Sequence, residues 1–234
     1  MVWFMEGICV LPVFLVIWSS STFLISYIVA LLRGDVDVIF PYISDTGTNP
    51  PESGIFGLMT TIGAFAGLAT IFARYKYVEK ICEATTRSRL NRIAFCFGIT
   101  SCLGMCFIAT FQETQNPLVH DIAALTVFLS GETYIILQSI ISRRMYPYWS
   151  SRTVCLSQTF ISAISVFASV TMIVCGVLVK SSKLHWKIHN EQYILHVVSA
   201  VSEWIVSFAF VFFFFTYIRE FKKVTLKLKV SVHY

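Results

Sequence analysis

The chain has 234 residues, of which 56% are hydrophobic and 13% charged, with a formal net charge of +5 and a mean hydropathy of +0.71. A water-soluble domain carries about 25% charged residues, so soluble enzymes, nucleic-acid binders and disulfide-built scaffolds are excluded. Apolar runs that reach the roughly 20 residues needed to cross a bilayer point instead to an all-α polytopic membrane protein, a bundle of six transmembrane helices.

In chain order the expected spans cover about residues 8–32, 54–73, 93–112, 122–142, 153–179 and 193–218, followed by a basic tail at 219–234. They form one six-span domain, because no connection is long enough for a second. The first span has no Lys or Arg before it and an apolar core too long for a cleaved signal, so it reads as a retained signal anchor. The second carries Gly63-x-x-x-Gly67, with Gly57, Thr60 and Ala64 near the same side. Small residues let helix backbones approach closely in lipid, and the simplest partner is another helix of the same chain. In span three, Cys102 and Cys106 share a helix face and read as packing residues rather than a redox pair. Cys82, beside basic residues in the loop after span two, is either an ordinary loop thiol or a palmitoylation site.

Lys and Arg in the connections set the orientation. Fourteen lie after span two (Arg74, Lys76, Lys80, Arg87, Arg89, Arg92), after span four (Arg143, Arg144, Arg152) and in the tail (Arg219, Lys222, Lys223, Lys227, Lys229). Four lie on the other side: Arg33, Lys180, Lys183 and Lys187. Both termini are therefore expected in the cytosol. Three short loops, Arg33–Glu52, Glu113–Asp121 and Lys180–Glu191, face the lumen or the exterior. The first two are acidic and none contains a cysteine or an Asn-x-Ser/Thr acceptor.

Ionisable residues inside the spans are the site candidates, since burying one in a bilayer costs several kcal/mol by most estimates. His196 and Glu203, seven apart, lie within about 20° on one face of span six, and Asp121 and Glu132, eleven apart, align similarly in span four. Asp45, Gln112, His120, Asp121 and His196 fall near the lumenal end, with Glu203, and Glu132 beside it, at the floor of a polar pocket. Two readings stay open: a ligand or proton site, or a polar cluster that holds the bundle in register. Facing an acidic lumen, His120 and His196 would charge below about pH 6.5 and tighten on the carboxylates. His185-x-x-x-His189 invites a zinc reading, but no His-Glu-x-x-His or cysteine-pair spacing supports it. No phosphate loop or nucleophile elbow occurs either, so no catalytic residue, metal or cofactor is assigned.

The tail alternates Val224, Leu226, Leu228, Val230 and Val232 with polar residues. A period of two suits an extended arm rather than an amphipathic helix. Arg219, Lys222, Lys223, Lys227 and Lys229 would hold that arm on anionic phospholipid, at about 1 kcal/mol for each basic residue near the surface. Tyr75-x-x-Val78 fits a tyrosine-type sorting pattern but lies close to the membrane.

The first lumenal loop is less generic: Phe40-Pro41-Tyr42-Ile43-Ser44-Asp45-Thr46-Gly47-Thr48-Asn49-Pro50-Pro51-Glu52-Ser53-Gly54. Around it stand Trp18-Ser19-Ser20, Arg74-Tyr75, Phe111-Gln112-Glu113, His120-Asp121, Gln138-Ser139-Ile140-Ile141-Ser142 and Tyr193-x-x-His196-x-x-Ser199-Ala200-x-x-Glu203-Trp204. In that order and over essentially the whole chain, these motifs resemble the DNA damage-regulated autophagy modulator family. The resemblance implies a six-span protein of lysosomal or late endosomal membranes that promotes autophagy and links stress to cell death. It also implies kinship with proteins of glycosylphosphatidylinositol-lipid maturation. Thr110 stands where the family usually has Asn, and Glu132 where it has a small or apolar residue. The expected function is a non-enzymatic modulator acting through membrane lipids or membrane and autophagy proteins. The alternative is a lipid-handling or small-solute transport protein with a lumen-facing pocket.

Overall fold

The computed structural model describes residues 7–82, 89–179 and 184–225. The Cys82 side chain, Arg87, Lys180, Lys183, Lys227 and Lys229, and most of the alternating tail, lie outside them. Six long helices form: α1 (Val10–Arg33), α2 (Glu52–Cys82), α3 (Arg89–Thr110), α4 (Pro117–Met145), α5 (Arg152–Leu178) and α6 (Tyr193–Phe215). A short α7 (Tyr217–Phe221) follows, and a 3-10 turn (Asp45–Gly47) sits in the first loop. Among the described residues there is no strand, and all six long helices are apolar enough to cross a membrane.

Local chemistry sets the helix ends. Gly34 adopts φ +76° and returns its N–H to the Ala30 and Leu31 carbonyls, a left-handed cap that ends α1. Pro117 occupies the first turn of α4, where its missing N–H leaves nothing unpaired. Ser151 accepts from the Val154 N–H at 3.2 Å to start α5. Helix α2 runs nine residues past the expected end of its span at Ala73, because charged side chains end an apolar run without ending the helix that carries them. Apolar runs therefore mark membrane depth rather than helix length.

Each helix packs on its sequence neighbours and α1 closes on α6, so the six form a ring in chain order. The glycine stripe of α2 faces inward, as expected. A Cβ at Gly57 would meet the Ala109 carbonyl of α3 at 2.7 Å, and one at Gly67 would meet Cys102 Sγ at 3.4 Å. Cys102 is thus a packing residue.

The first and last described segments meet on the side of the Arg-rich connections. The Ile8 N–H donates to the Val224 carbonyl at 3.0 Å and the Phe221 carbonyl at 3.3 Å. Gly7, at φ +64°, makes that approach possible, since a Cβ there would meet two carbonyl oxygens at 2.6 Å. Two expectations are corrected at this end. Arg74 is not a loop cation but is fully buried within α2: Nη1 donates to Glu220 Oε2 at 2.5 Å, Nη2 to Ser142 Oγ at 2.9 Å and Nε to Gln138 Oε1 at 3.2 Å. The tail does not begin as an extended arm, because Arg219 lies in α7, whose Glu220 and Tyr217 are held under Arg74. Arg219 and Lys223 are exposed on the same side and Lys222 is half-buried.

Candidate functional site

Residues 34–51 fold back over the far end of the ring as a lid. Asp35 accepts from Asn49 Nδ2 at 2.8 Å and pairs with Arg33 at 3.4 Å, which closes the loop on itself. Those hydrogen bonds, Asn49 first, hold the Asp35 carboxyl below the usual carboxylate range. Backbone groups tie the lid to the ring. Glu203 Oε2 accepts the Ile43 N–H at 2.9 Å, and Trp204 Nε1 donates to the Pro41 carbonyl at 2.9 Å. Asp37 accepts the Trp186 N–H at 2.6 Å and lies 3.1 Å from His185 Nδ1, drawing in the loop before α6.

Beneath the lid the ring encloses a cavity of about 510 Å³. Its lid end holds Asp45, Glu113, His120, Asp121, His196 and Glu203, with Tyr42, Ser44, Trp186 and Ser199 beside them. Below, the wall is apolar, with Leu15, Ile71, Val127, Ile135 and Phe214 among its members and Gly63 and Gly67 along one side. The lining includes the exposed side chains of Asp121 and Leu125 on α4 and Val177 on α5, so the cavity reaches the surface between those helices.

Several of these carboxyls are tied to their surroundings. Ser44 Oγ donates to Glu113 Oε2 at 3.1 Å, and Asp45 Oδ2 accepts the Tyr42 N–H at 3.3 Å. Burial first, then the neighbouring Glu113 and Glu203 carboxylates, pushes Asp45 well above the usual carboxylate range. Burial likewise pushes the Tyr42 phenol up. His120 Nδ1 lies 2.8 Å from the Phe111 carbonyl, which only accepts, so that nitrogen carries the proton. The His196 ring stacks on Trp186 at 4.6 Å and meets the Tyr42 ring edge-on at 5.0 Å. It is 4% exposed, and its Nδ1 has no hydrogen-bond partner.

Five of the six expected cluster residues, Asp45, His120, Asp121, His196 and Glu203, thus line one cavity. The Gln112 side chain does not; its carbonyl accepts from the Asn116 N–H at 3.0 Å and shapes the turn into α4. Its neighbour Glu113 occupies the place expected for it. Glu132 is not at the pocket floor either, since it turns toward α5 and accepts from Ser165 and, at 2.8 Å, from Ser169. Helical alignment with Asp121 placed it on roughly the right face, but two serines on the neighbouring helix take its carboxylate. Tyr42 and Glu113 stood in the quoted motifs and were legible there, whereas Trp186 had no sequence signal. Among the described residues no three His, Cys, Asp or Glu side chains converge as a metal site.

A six-span α-helical membrane protein with a lidded cavity, acidic at one end and apolar below, is the class that fold and site define. Residues 7–224 match the Frag1/DRAM/Sfk1/Cwh43P N-terminal domain family, and the chain belongs to it. It is 47% identical to the DNA damage-regulated autophagy modulator protein 1 of Mus musculus, over 100% of this chain and 99% of that protein. Identity to the DNA damage-regulated autophagy modulator protein 2 of Rattus norvegicus is 39%, over 99% of this chain and 90% of that one. A Xenopus laevis protein named modulator of macroautophagy TMEM150B-A is 26% identical over 84% of this chain and 79% of its own length. No solved structure matches. Relatives across this range carry names of modulators, not of enzymes.

Proposed function

We propose that this chain is a non-enzymatic modulator of autophagy in lysosomal or late endosomal membranes that works by taking a membrane amphiphile into its central cavity. The cavity carries the reading. Small-molecule sites are concave, mostly apolar and furnished with a few convergent polar groups, at about 300–1,000 Å³, and this one has about 510 Å³. The names of its relatives support the autophagy role, and the link to stress-induced cell death belongs to the same reading. The basic bias of the connections supports cytosolic termini and a lumenal lid. On the cytosolic side Arg219, Lys222 and Lys223, together with Lys227 and Lys229, attract anionic phospholipid.

The test uses cells lacking the endogenous protein, a tagged copy to follow its compartment, and autophagic flux as the readout. Wild type should reach lysosomes and restore flux. Gly63→Met, placed where an added Cβ meets nothing closer than 3.7 Å, should reach them too but fill the cavity and restore little. Full rescue by Gly63→Met would separate autophagy from the cavity.

A further inference from the structure

The two ends of the cavity differ in a way that selects a ligand class. Its apolar stretch follows α4 from Asp121 to Ile135, fourteen residues or about 21 Å at 1.5 Å per residue, close to the length of an extended long alkyl chain. About 510 Å³ accommodates one such chain, and a two-chain phospholipid exceeds it. The lid end gathers Asp45, Glu113, Asp121 and Glu203, and among the described residues no Lys or Arg lines the cavity. A phosphate or carboxylate head would set a further negative charge among these crowded carboxyls, with no cation to balance it. An ammonium brings three donors and no acceptor, and its hydrogen bonds to carboxylates are of the strong, charge-assisted kind.

His196 supplies a second observation. It lines the cavity, is 4% exposed, and its buried Nδ1 has no hydrogen-bond partner in the chain. A buried polar atom without a partner is left desolvated and uncompensated, and a head group whose N–H reaches it would supply the missing bond. The rings of Tyr42 and Trp186, both in the cavity lining, pack against His196 and fix its position. The opening between α4 and α5, with exposed Leu125 and Val177 at its edge, lets an alkyl chain enter sideways from the bilayer.

We propose that the cavity binds a single-chain amphiphile with a cationic amine head, the ammonium among Asp45, Glu113 and Glu203 beside His196 and the chain along α4 toward Ile135. This rests on the reading of the cavity as an amphiphile site and names its ligand chemistry. Lid and ring both contribute to the head site, since Asp45 comes from the first loop and Glu203 from α6.

The experiment titrates purified full-length protein at pH 7 with octadecylamine, stearic acid or octadecanol, one at a time. Adducts are counted by native mass spectrometry and supported by thermal shift. The amine should bind about tenfold or more tighter than either analogue, as expected for a desolvated charge-assisted site. Glu203→Gln keeps an acceptor for the Ile43 N–H and should lower amine affinity several-fold while leaving octadecanol unchanged. Asp45→Asn is the second variant and should behave alike. Gly63→Met should lose all three ligands. Stearic acid or octadecanol binding as tightly as the amine would overturn the amine assignment and leave the cavity reading intact. Absence of any adduct, or adducts undiminished in Gly63→Met, would overturn both.

Discussion

Arg74 offers the sharpest test of how the bundle is held together at the end away from the lid. Its guanidinium is fully buried, bonded to Glu220 on α7 and to Ser142 and Gln138 on α4, and it lies 4.9 Å from the Tyr217 ring centre. Arg74→Met keeps the bulk of the side chain and removes the charge and three hydrogen bonds. It also strands the Glu220 carboxylate, 5% exposed, without its cation. Removing one partner of a buried ion pair costs about 3–5 kcal/mol, much of it from the charge left behind. At about 2–4 °C per kcal/mol for a chain of this size, the melting point should fall on the order of 10 °C. Arg74→Lys keeps the charge but not the planar fork and should fall between. Adding Glu220→Gln to Arg74→Met removes the stranded charge and should recover part of the loss, a coupling that a double-mutant cycle isolates. Unfolding followed by a thiol-reactive dye in detergent is a suitable assay, since Cys9, Cys102 and Cys155 are buried. Equal melting of Arg74→Met and wild type, or a double variant no better than Arg74→Met alone, would refute the latch.

Acid should firm the lid. Asp45 is held above its ordinary range, so its contribution is full below about pH 3.8 and is lost as pH rises through the raised value; melting at pH 5 should exceed that at pH 7, and Asp45→Asn should flatten the difference. Asp35, shifted the opposite way, contributes above its ordinary value and loses that only below it, outside this window. Gly7→Ala should destabilise by about 1–2 kcal/mol from the left-handed φ alone, with the clash against the Phe221 and Val224 carbonyls added, and should leave Gly34→Ala, which meets no atom within 4 Å, as the milder comparison. Tags at either terminus should be digested by protease added to intact lysosomes, and protection of the C-terminal tag would reverse the orientation. A synthetic 219–234 peptide should bind liposomes only when they carry anionic lipid and should release with salt; binding indifferent to both would leave the tail a topological role alone.

The spans were legible because the bilayer imposes one length and one composition on every helix that crosses it. Interior polar residues were legible for a related reason, since their cost in lipid demands partners. Helical arithmetic then placed His196 and Glu203 on one wall, where both line the cavity. The same arithmetic failed for Glu132, because facing direction alone does not say which neighbour fills the gap, and Ser165 and Ser169 are contributed by a helix thirty-odd residues on. Counting charges misjudged Arg74. A cation just past an apolar run looks solvated, and only the long-range Glu220 contact makes it a core residue. The lid was visible as a proline-rich loop, but its return into the ring depends on backbone groups, such as the Ile43 N–H on Glu203, that no side-chain pattern encodes.

Helix α6 joins the two polar ends of the molecule. It carries His196 and Glu203 beneath the lid, lines the cavity down to Phe214, and runs on into α7 with Tyr217 and Glu220 in the latch. The cavity floor and the latch share a side chain. Tyr134 lines the floor, stacks on Phe214 at 6.0 Å, and its hydroxyl lies 3.1 Å from that of Tyr217, under Arg74. Loosening the latch therefore loosens the deep end of the cavity, and Arg74→Met should weaken amphiphile binding as well as stability. Glu203→Gln acts at the opposite end and retains the acceptor for Ile43, so it should change head-group preference with little change in melting. The two variants together distinguish a cavity that fails because its frame has slackened from one that fails because its head site has lost its charge.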